Sequence, residues 1–157
     1  MIHSSEYVLS DEPFVIRRTV RWSDCDPAGV VYTGQFSTYV LSAVSLFSDH
    51  LAGRAGKSLG QAHGVGTPCR GMSLDFIKTL WPGDEIDIEC WIGEIRTRSY
   101  DIHCHACTLN GEPVFDARFS PICVRTDVRV ATDIPPSLRA VLSRHARITP
   151  EFKEAQT

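Results

Sequence analysis

The chain has 157 residues, 43 % of them apolar, and sixteen Lys plus Arg against nineteen Asp plus Glu give a formal charge of -3. That length supports one substantial core but not two ordinary domains, and the composition is that of a globular protein, not a disordered one. The mild acidity gives no overall pull toward nucleic acid or an anionic membrane, although a local arginine cluster can still hold a phosphate-bearing ligand. No membrane span is expected, and with no basic stretch followed by an apolar run at Met1 to Glu6 the reading is cytoplasmic.

Residues 1–13 read as an N-terminal extension and residues 14–149 as the domain. Phe14, Ile16, Val20 and Trp22 recur at period two, which predicts a first strand from Phe14 to Trp22. The stretch Asp24-Cys25-Asp26-Pro27-Ala28-Gly29 then breaks the pattern. Two acids, a proline and a glycine stand where strand should give way to helix, so a carboxylate can be fixed beside the free N–H groups of a helix start. Phe36, Tyr39, Val40, Ala43, Val44, Phe47 and Leu51 follow at helix spacing, which predicts one long helix from about Thr33-Gly34 to Ala52-Gly53. Residues 54–66 form a polar, glycine-punctuated connection with at most a short helical turn.

The second half alternates. Arg70 to Lys78, Ile86 to Glu94, Ser99 to Leu109 and Val114 to Arg125 read as four strands. The turn Trp81-Pro82-Gly83-Asp84 precedes the second of them, and Asn110-Gly111 joins the last two as a tight hairpin. Pro135-Pro136-Ser137 opens a short helix, Leu138 to His145, and residues 150–157 form a loosely held tail. The expected class is α+β, with five strands and one long helix. One helix cannot cover both faces and the edges of such a sheet, so at least a homodimer is expected.

The six cysteines form no dense framework and read as mostly reduced, some of them core. Cys104 and Cys107 fall within a strand at a spacing that sends their side chains to opposite faces, which opposes a shared metal. His103 and His105 share a face but lack further ligands, and His63 in the glycine-rich loop reads as a loop hydrogen-bonder. No metal or cofactor is expected.

The run Trp22-Ser23-Asp24-Cys25-Asp26-Pro27-Ala28-Gly29-Val30-Val31-Tyr32 resembles the active-site signature of the hot-dog-fold acyl-CoA thioesterases of the 4-hydroxybenzoyl-CoA thioesterase family. The resemblance continues through His63 to Pro68, the Trp81 to Asp84 turn and Glu94 to Ser99, to about Arg129. It implies a hot-dog fold, a curved antiparallel sheet around the long helix. It also implies an acyl-CoA substrate and a homodimer or dimer of dimers (a homotetramer) with active sites at subunit interfaces.

Carried over by position, the resemblance makes Asp26 the catalytic carboxylate, attacking the thioester directly or activating water as a general base. It sets the backbone N–H at Thr33, with Gly34 next, against the thioester oxygen, where the helix start offers positive potential. A Thr33 hydroxyl cap is also expected. Asp24 is expected to orient the loop as an Asx turn or to set the local charge, with a direct acid/base role as the alternative, and Gly29 to permit the turn. Tyr32, Phe36, Tyr39 and Leu41 are the expected acyl-pocket residues. Arg96, Arg98, Arg125 and Arg129 are the candidates for the phosphates of CoA.

One departure bears on substrate. The 4-hydroxybenzoyl-CoA enzyme carries an acidic side chain on the long helix near the phenolic end, and the corresponding position here is Leu41. An aryl or short-to-medium acyl group without a phenol therefore fits better. No acid occurs from Gly34 to Ser48, which disfavours a helix-borne carboxylate mechanism. The alternative functions are a noncatalytic acyl-CoA binding or sensing module and, among enzymes, a dehydratase.

Overall fold

A computed structural model describes residues 4–53 and 56–148. Its elements are β1 (Glu6–Asp11), β2 (Phe14–Thr19), α1 (Thr33–Ala52), α2 (Leu59–Ala62), β3 (Cys69–Phe76), β4 (Glu85–Ile95), β5 (Tyr100–Thr108), β6 (Pro113–Pro121) and α3 (Pro136–Arg144), with a short 3-10 turn at Trp22–Asp24. The strands form one antiparallel sheet in the order β1-β2-β4-β5-β6-β3. The sheet is open, with β1 and β3 as its edges, and one face wraps α1.

The helix is held by the residues whose spacing predicts it: Phe36, Tyr39, Val40, Ala43, Val44, Phe47 and Leu51 are all buried. They meet Phe14 and Ile16 of β2, Ile86, Ile88, Cys90 and Ile92 of β4, Ile102, Cys104 and Ala106 of β5, and Phe115 and Ala117 of β6 in one core. Leu138 and Leu142 of α3 extend that core, and His145 meets Phe47 edge-on beside the C-terminal end of α1.

Several expectations are corrected. The sheet has six strands, not five, because Glu6–Asp11 of the expected extension pairs with β2. Its sequence lacks a clean period two since an edge strand here buries no complete face; Tyr7, Val8 and Leu9 are exposed. The last strand stops at Pro121 instead of Arg125, where proline removes a ladder donor. The β5–β6 hairpin turns at Asn110-Gly111, but only Gly111 takes a positive φ, +83°, so a wider loop closes with Thr108 N–H donating to Glu112 O at 2.8 Å. The expected tail, residues 150–157, lies outside the described residues.

The outer sheet face is covered at Trp91 by the stacked His103 ring and the Arg147 guanidinium. It carries charge pairs: Arg17 with Asp87 (2.8 Å), Arg147 with Glu89 (2.8 Å) and His105 Nδ1 with Asp116 (2.6 Å). The exposed apolar side chains gather elsewhere, including Met72, Phe76 and Ile77 on and just beyond β3. The β3 edge is left without a strand partner among the described residues.

Candidate active site

The chain leaves β2, makes the 3-10 turn and reaches α1 through a loop built on two aspartates with different tasks. Asp24 is buried. Its Oδ2 accepts Arg21 N–H at 3.0 Å and the Tyr39 hydroxyl at 2.7 Å, and its carbonyl accepts Tyr32 N–H at 3.3 Å. This ties the end of the strand to the start of the helix. The capping contact runs backward to Arg21, so Asp24 does not make the forward Asx turn expected of it.

Asp26 makes that turn instead. Its Oδ1 accepts Ala28 N–H at 2.9 Å, while its backbone bonds Val30 and Gly29. The side chain is half-buried and retains acceptor capacity. Gly29 sits at φ +85° with no heavy atom near a would-be Cβ, so the positive φ alone explains the glycine.

At the head of α1 the N-cap is Tyr32, which makes no side-chain cap, and Thr33 lies inside the first turn. The expected Thr33 hydroxyl cap is therefore absent. Among the described residues the N–H groups of Thr33 and Gly34 find no acceptor, while Gln35 N–H bonds Tyr32 O at 3.0 Å. The Tyr32 ring lies across Gly34, so that a Cβ there would stand 2.6 Å from Tyr32 Cε2. Unpartnered helix N–H groups close in sequence to a fixed carboxylate can stabilise charge developing on a carbonyl oxygen.

Cys25, between the two acids, is held protonated: partial burial first, then the negative charges of Asp24 and Asp26, raise its thiol pKa. It is a poor candidate nucleophile. Tyr39 likewise stays a hydroxyl, raised by burial and then by its bond to Asp24.

An open groove beside the helix start is lined by Val30, Val31, Thr33, Phe36, Phe76, Ile77, Lys78 and Thr79. Of the expected acyl-pocket residues only Phe36 lines it. Tyr39 is buried in the core, whereas Tyr32 and Leu41 are about half exposed, at 47 % and 49 %. In the sequence Phe76 and Ile77 read only as strand residues; that the end of β3 and the residue after it return beside the helix start is a topological fact.

The four arginines divide. Arg96 is bound to Asp101 and Glu94, Arg98 to Asp133 at 3.1 Å, and Arg125 to Asp127 at 2.6 Å. Arg129, at φ +52°, has no ion-pair partner among the described residues. Arg125 and Arg129 flank a groove with Gly66, Thr67 and Pro68; Arg96 and Arg98 do not line it. His63 Nδ1 lies 2.8 Å from Ser137 Oγ, joining its loop to α3.

The arrangement of one long helix in an antiparallel sheet is that of a hot-dog protein, and the sequence profile of the Thioesterase-like superfamily matches residues 20–142. The chain belongs to that superfamily. No curated protein matches it by sequence. A thioesterase-superfamily structure from Jannaschia sp. CCS1 is 25 % identical with a TM-score of 0.77, covering 94 % of this chain and 99 % of that one. Slr0204, a 1,4-dihydroxy-2-naphthoyl-CoA thioesterase from Synechocystis, is 18 % identical with a TM-score of 0.71, covering 83 % and 95 %. YbaW, a probable thioesterase from Escherichia coli, is 15 % identical with a TM-score of 0.72, covering 85 % and 98 %.

Proposed function

We propose that the protein hydrolyses an acyl-CoA thioester to a free carboxylic acid and CoA, with Asp26 as the reacting carboxylate. The observation that carries this reading is Asp26 held by its own Asx turn, seven residues before a helix whose first N–H groups lack acceptors among the described residues. In one route a carboxylate oxygen bonds the acyl carbon, the CoA thiolate leaves, and water cleaves the resulting anhydride. In the other, Asp26 takes a proton from the attacking water and passes it to the departing sulfur, so that CoA leaves as the thiol. Thr33 and Gly34 N–H stabilise the oxyanion in both, and Asp24 acts through the loop it anchors.

The groove from Val30 to Ile77 supports an apolar acyl group, aryl or short to medium aliphatic. Half-exposed Leu41 reaches an acyl group only as part of a site shared with a second subunit, which agrees with a homodimer or a dimer of dimers. CoA phosphates are read by Arg129 with Arg125, at the groove beside Gly66, with lesser contributions from Arg96 and Arg98. The reaction proceeds in the cytoplasm and requires no metal, so turnover survives dialysis against a chelator.

Asp26→Asn is the decisive variant. The amide oxygen of Asn can still accept Ala28 N–H, so the loop stays in place while the charge is removed. Turnover of a broad acyl-CoA panel should fall by about a thousandfold or more with folding and CoA-ester binding retained. Unchanged turnover in Asp26→Asn and Asp26→Ala would reject Asp26. Stoichiometric binding without turnover by the unaltered protein would instead favour a noncatalytic binding or sensing module.

A further inference from the structure

Arg18 occupies an inward-facing position of β2, in the series Phe14, Ile16, Arg18, and its register partner on β1 is Glu6. A charge on the core side of a strand must be paired, and this one is: its guanidinium bonds Glu6 and lies 4.3 Å from the centroid of the Tyr39 ring. The side chains of Arg18 and Glu6 are 12 % and 16 % exposed. Glu6 Oε1 also accepts the Ser42 hydroxyl at 2.5 Å, so the edge strand is fixed to α1. Tyr39, one turn earlier on the same helix, donates to Asp24.

These contacts form one continuous path, Ser42 to Glu6 to Arg18 to Tyr39 to Asp24, from the sheet edge to the loop that carries Asp26. Asp24 holds Arg21 N–H on one side and, through its carbonyl, Tyr32 N–H on the other. Any displacement of Asp24 therefore moves both Asp26, two residues on, and the head of α1. Neither Glu6 nor Arg18 lines the groove beside the helix start.

Building on the thioesterase reading, we propose that Glu6, Arg18 and Tyr39 are positioning residues for the reaction. They brace Asp24, and through it align the Asp26 carboxylate with the first N–H groups of α1. The strand β1 is thereby part of the active-site frame and not an appendage to the domain. Substrate binds the groove without touching this path, so its loss costs alignment in the transition state and leaves ground-state binding nearly intact.

The experiment is a double-mutant cycle of Tyr39→Phe and Glu6→Gln in the full-length chain, with acyl-CoA kinetics and denaturant unfolding on the same four proteins. Each single variant should lower kcat by about tenfold or more with KM within about threefold. The double variant should be no slower than the worse single, and its unfolding free energy should likewise be non-additive. Arg18→Lys, which keeps the charge but not the planar fork, should fall between the unaltered protein and Glu6→Gln. Unchanged kcat in folded Tyr39→Phe, an effect confined to KM, or additive effects in both readouts would overturn the proposal. If the unaltered protein cleaves no acyl-CoA, the thioesterase reading fails and the kinetic role with it. Coupled unfolding energies in that case would distinguish this failure from failure of the bracing network itself.

Discussion

Arg96 grips Asp101 through two hydrogen bonds, each 2.9 Å, while the Ser120 hydroxyl gives the same carboxylate a third at 2.6 Å. Burial pushes the Asp101 carboxyl pKa up, but the bonds from Arg96 and Ser120 and the nearby positive charge outweigh it and hold the group below its ordinary value. The pair is structural first. Arg96→Ala leaves a buried carboxylate without its cation and should cost about 3 kcal/mol in denaturant unfolding. Arg129→Ala strands no such partner among the described residues, so it should leave stability nearly unchanged and raise KM for acyl-CoA. The opposite pattern in the two variants would exchange their roles.

Gly34→Ala separates stability from chemistry. Alanine is the better helix former by up to about 1 kcal/mol, so the melting temperature should hold or rise. The new Cβ would stand 2.6 Å from Tyr32 Cε2, and the ring must swing away from the helix start. A fall in kcat/KM without loss of Tm is the expected result. An unchanged kcat/KM would show that the Tyr32 ring and the space above Gly34 are not part of the site.

Two histidines set an acid limit on stability. Burial lowers the pKa of His103 below the ordinary 6.5, and burial followed by the charges of His50 and Arg144 lowers that of His145. A histidine depressed in the folded state binds fewer protons there than in the unfolded chain. Its contribution is complete above 6.5 and is lost as pH falls from 6.5 through the folded-state value. Thermal unfolding at pH 7.5, 6.5 and 5.5 should show a decline, smaller in His145→Gln. A Tm flat across that range would contradict it.

The exposed β3 edge makes assembly testable. Light scattering should give a mass of at least two chains, and Met72→Lys, which charges that edge, should lower it. Specific activity should fall with the oligomer fraction, since the site is proposed to draw on a second subunit. A mass of one chain under active conditions would count against a shared site.

Substrate preference follows from the missing acid at Leu41. Benzoyl and medium aliphatic thioesters should match or exceed a 4-hydroxybenzoyl thioester in kcat/KM, because a buried phenol without an acceptor costs about 1–3 kcal/mol. A preference of several orders of magnitude for the 4-hydroxybenzoyl ester would mean that another group supplies that acceptor.

Local pattern revealed what local physics controls. The apolar spacing along α1 names every buried residue on its core face, and Trp81-Pro82-Gly83-Asp84 forms its turn with Gly83 at φ +87°. What escaped was decided by neighbours distant in sequence. β1 gains its identity from pairing with β2, and the engagement of Arg98 depends on Asp133 thirty-five residues away. Tyr39 has a spacing that marks it as core, correctly, but spacing does not reveal that its hydroxyl answers Asp24. The one signal available for the bracing network was Arg18, a cation in an inward slot of an alternating strand.

The two edges of the sheet differ in regularity. The ladder of β1 is broken midway by a register shift between Val8 and Ser10, whereas that of β3 runs unbroken from Gly71 to Phe76 after a shift at its start. A bulge bends and twists the strand that carries it and spoils it as a template for another strand. The β3 edge is thus the better template for an added strand. Two copies meeting edge to edge along β3 around a twofold axis consume that side in both, and the joined sheet ends on two spoiled edges. A protein with two good edges would risk polymerising into filaments as it concentrates; in this arrangement a single addition would cap the sheet.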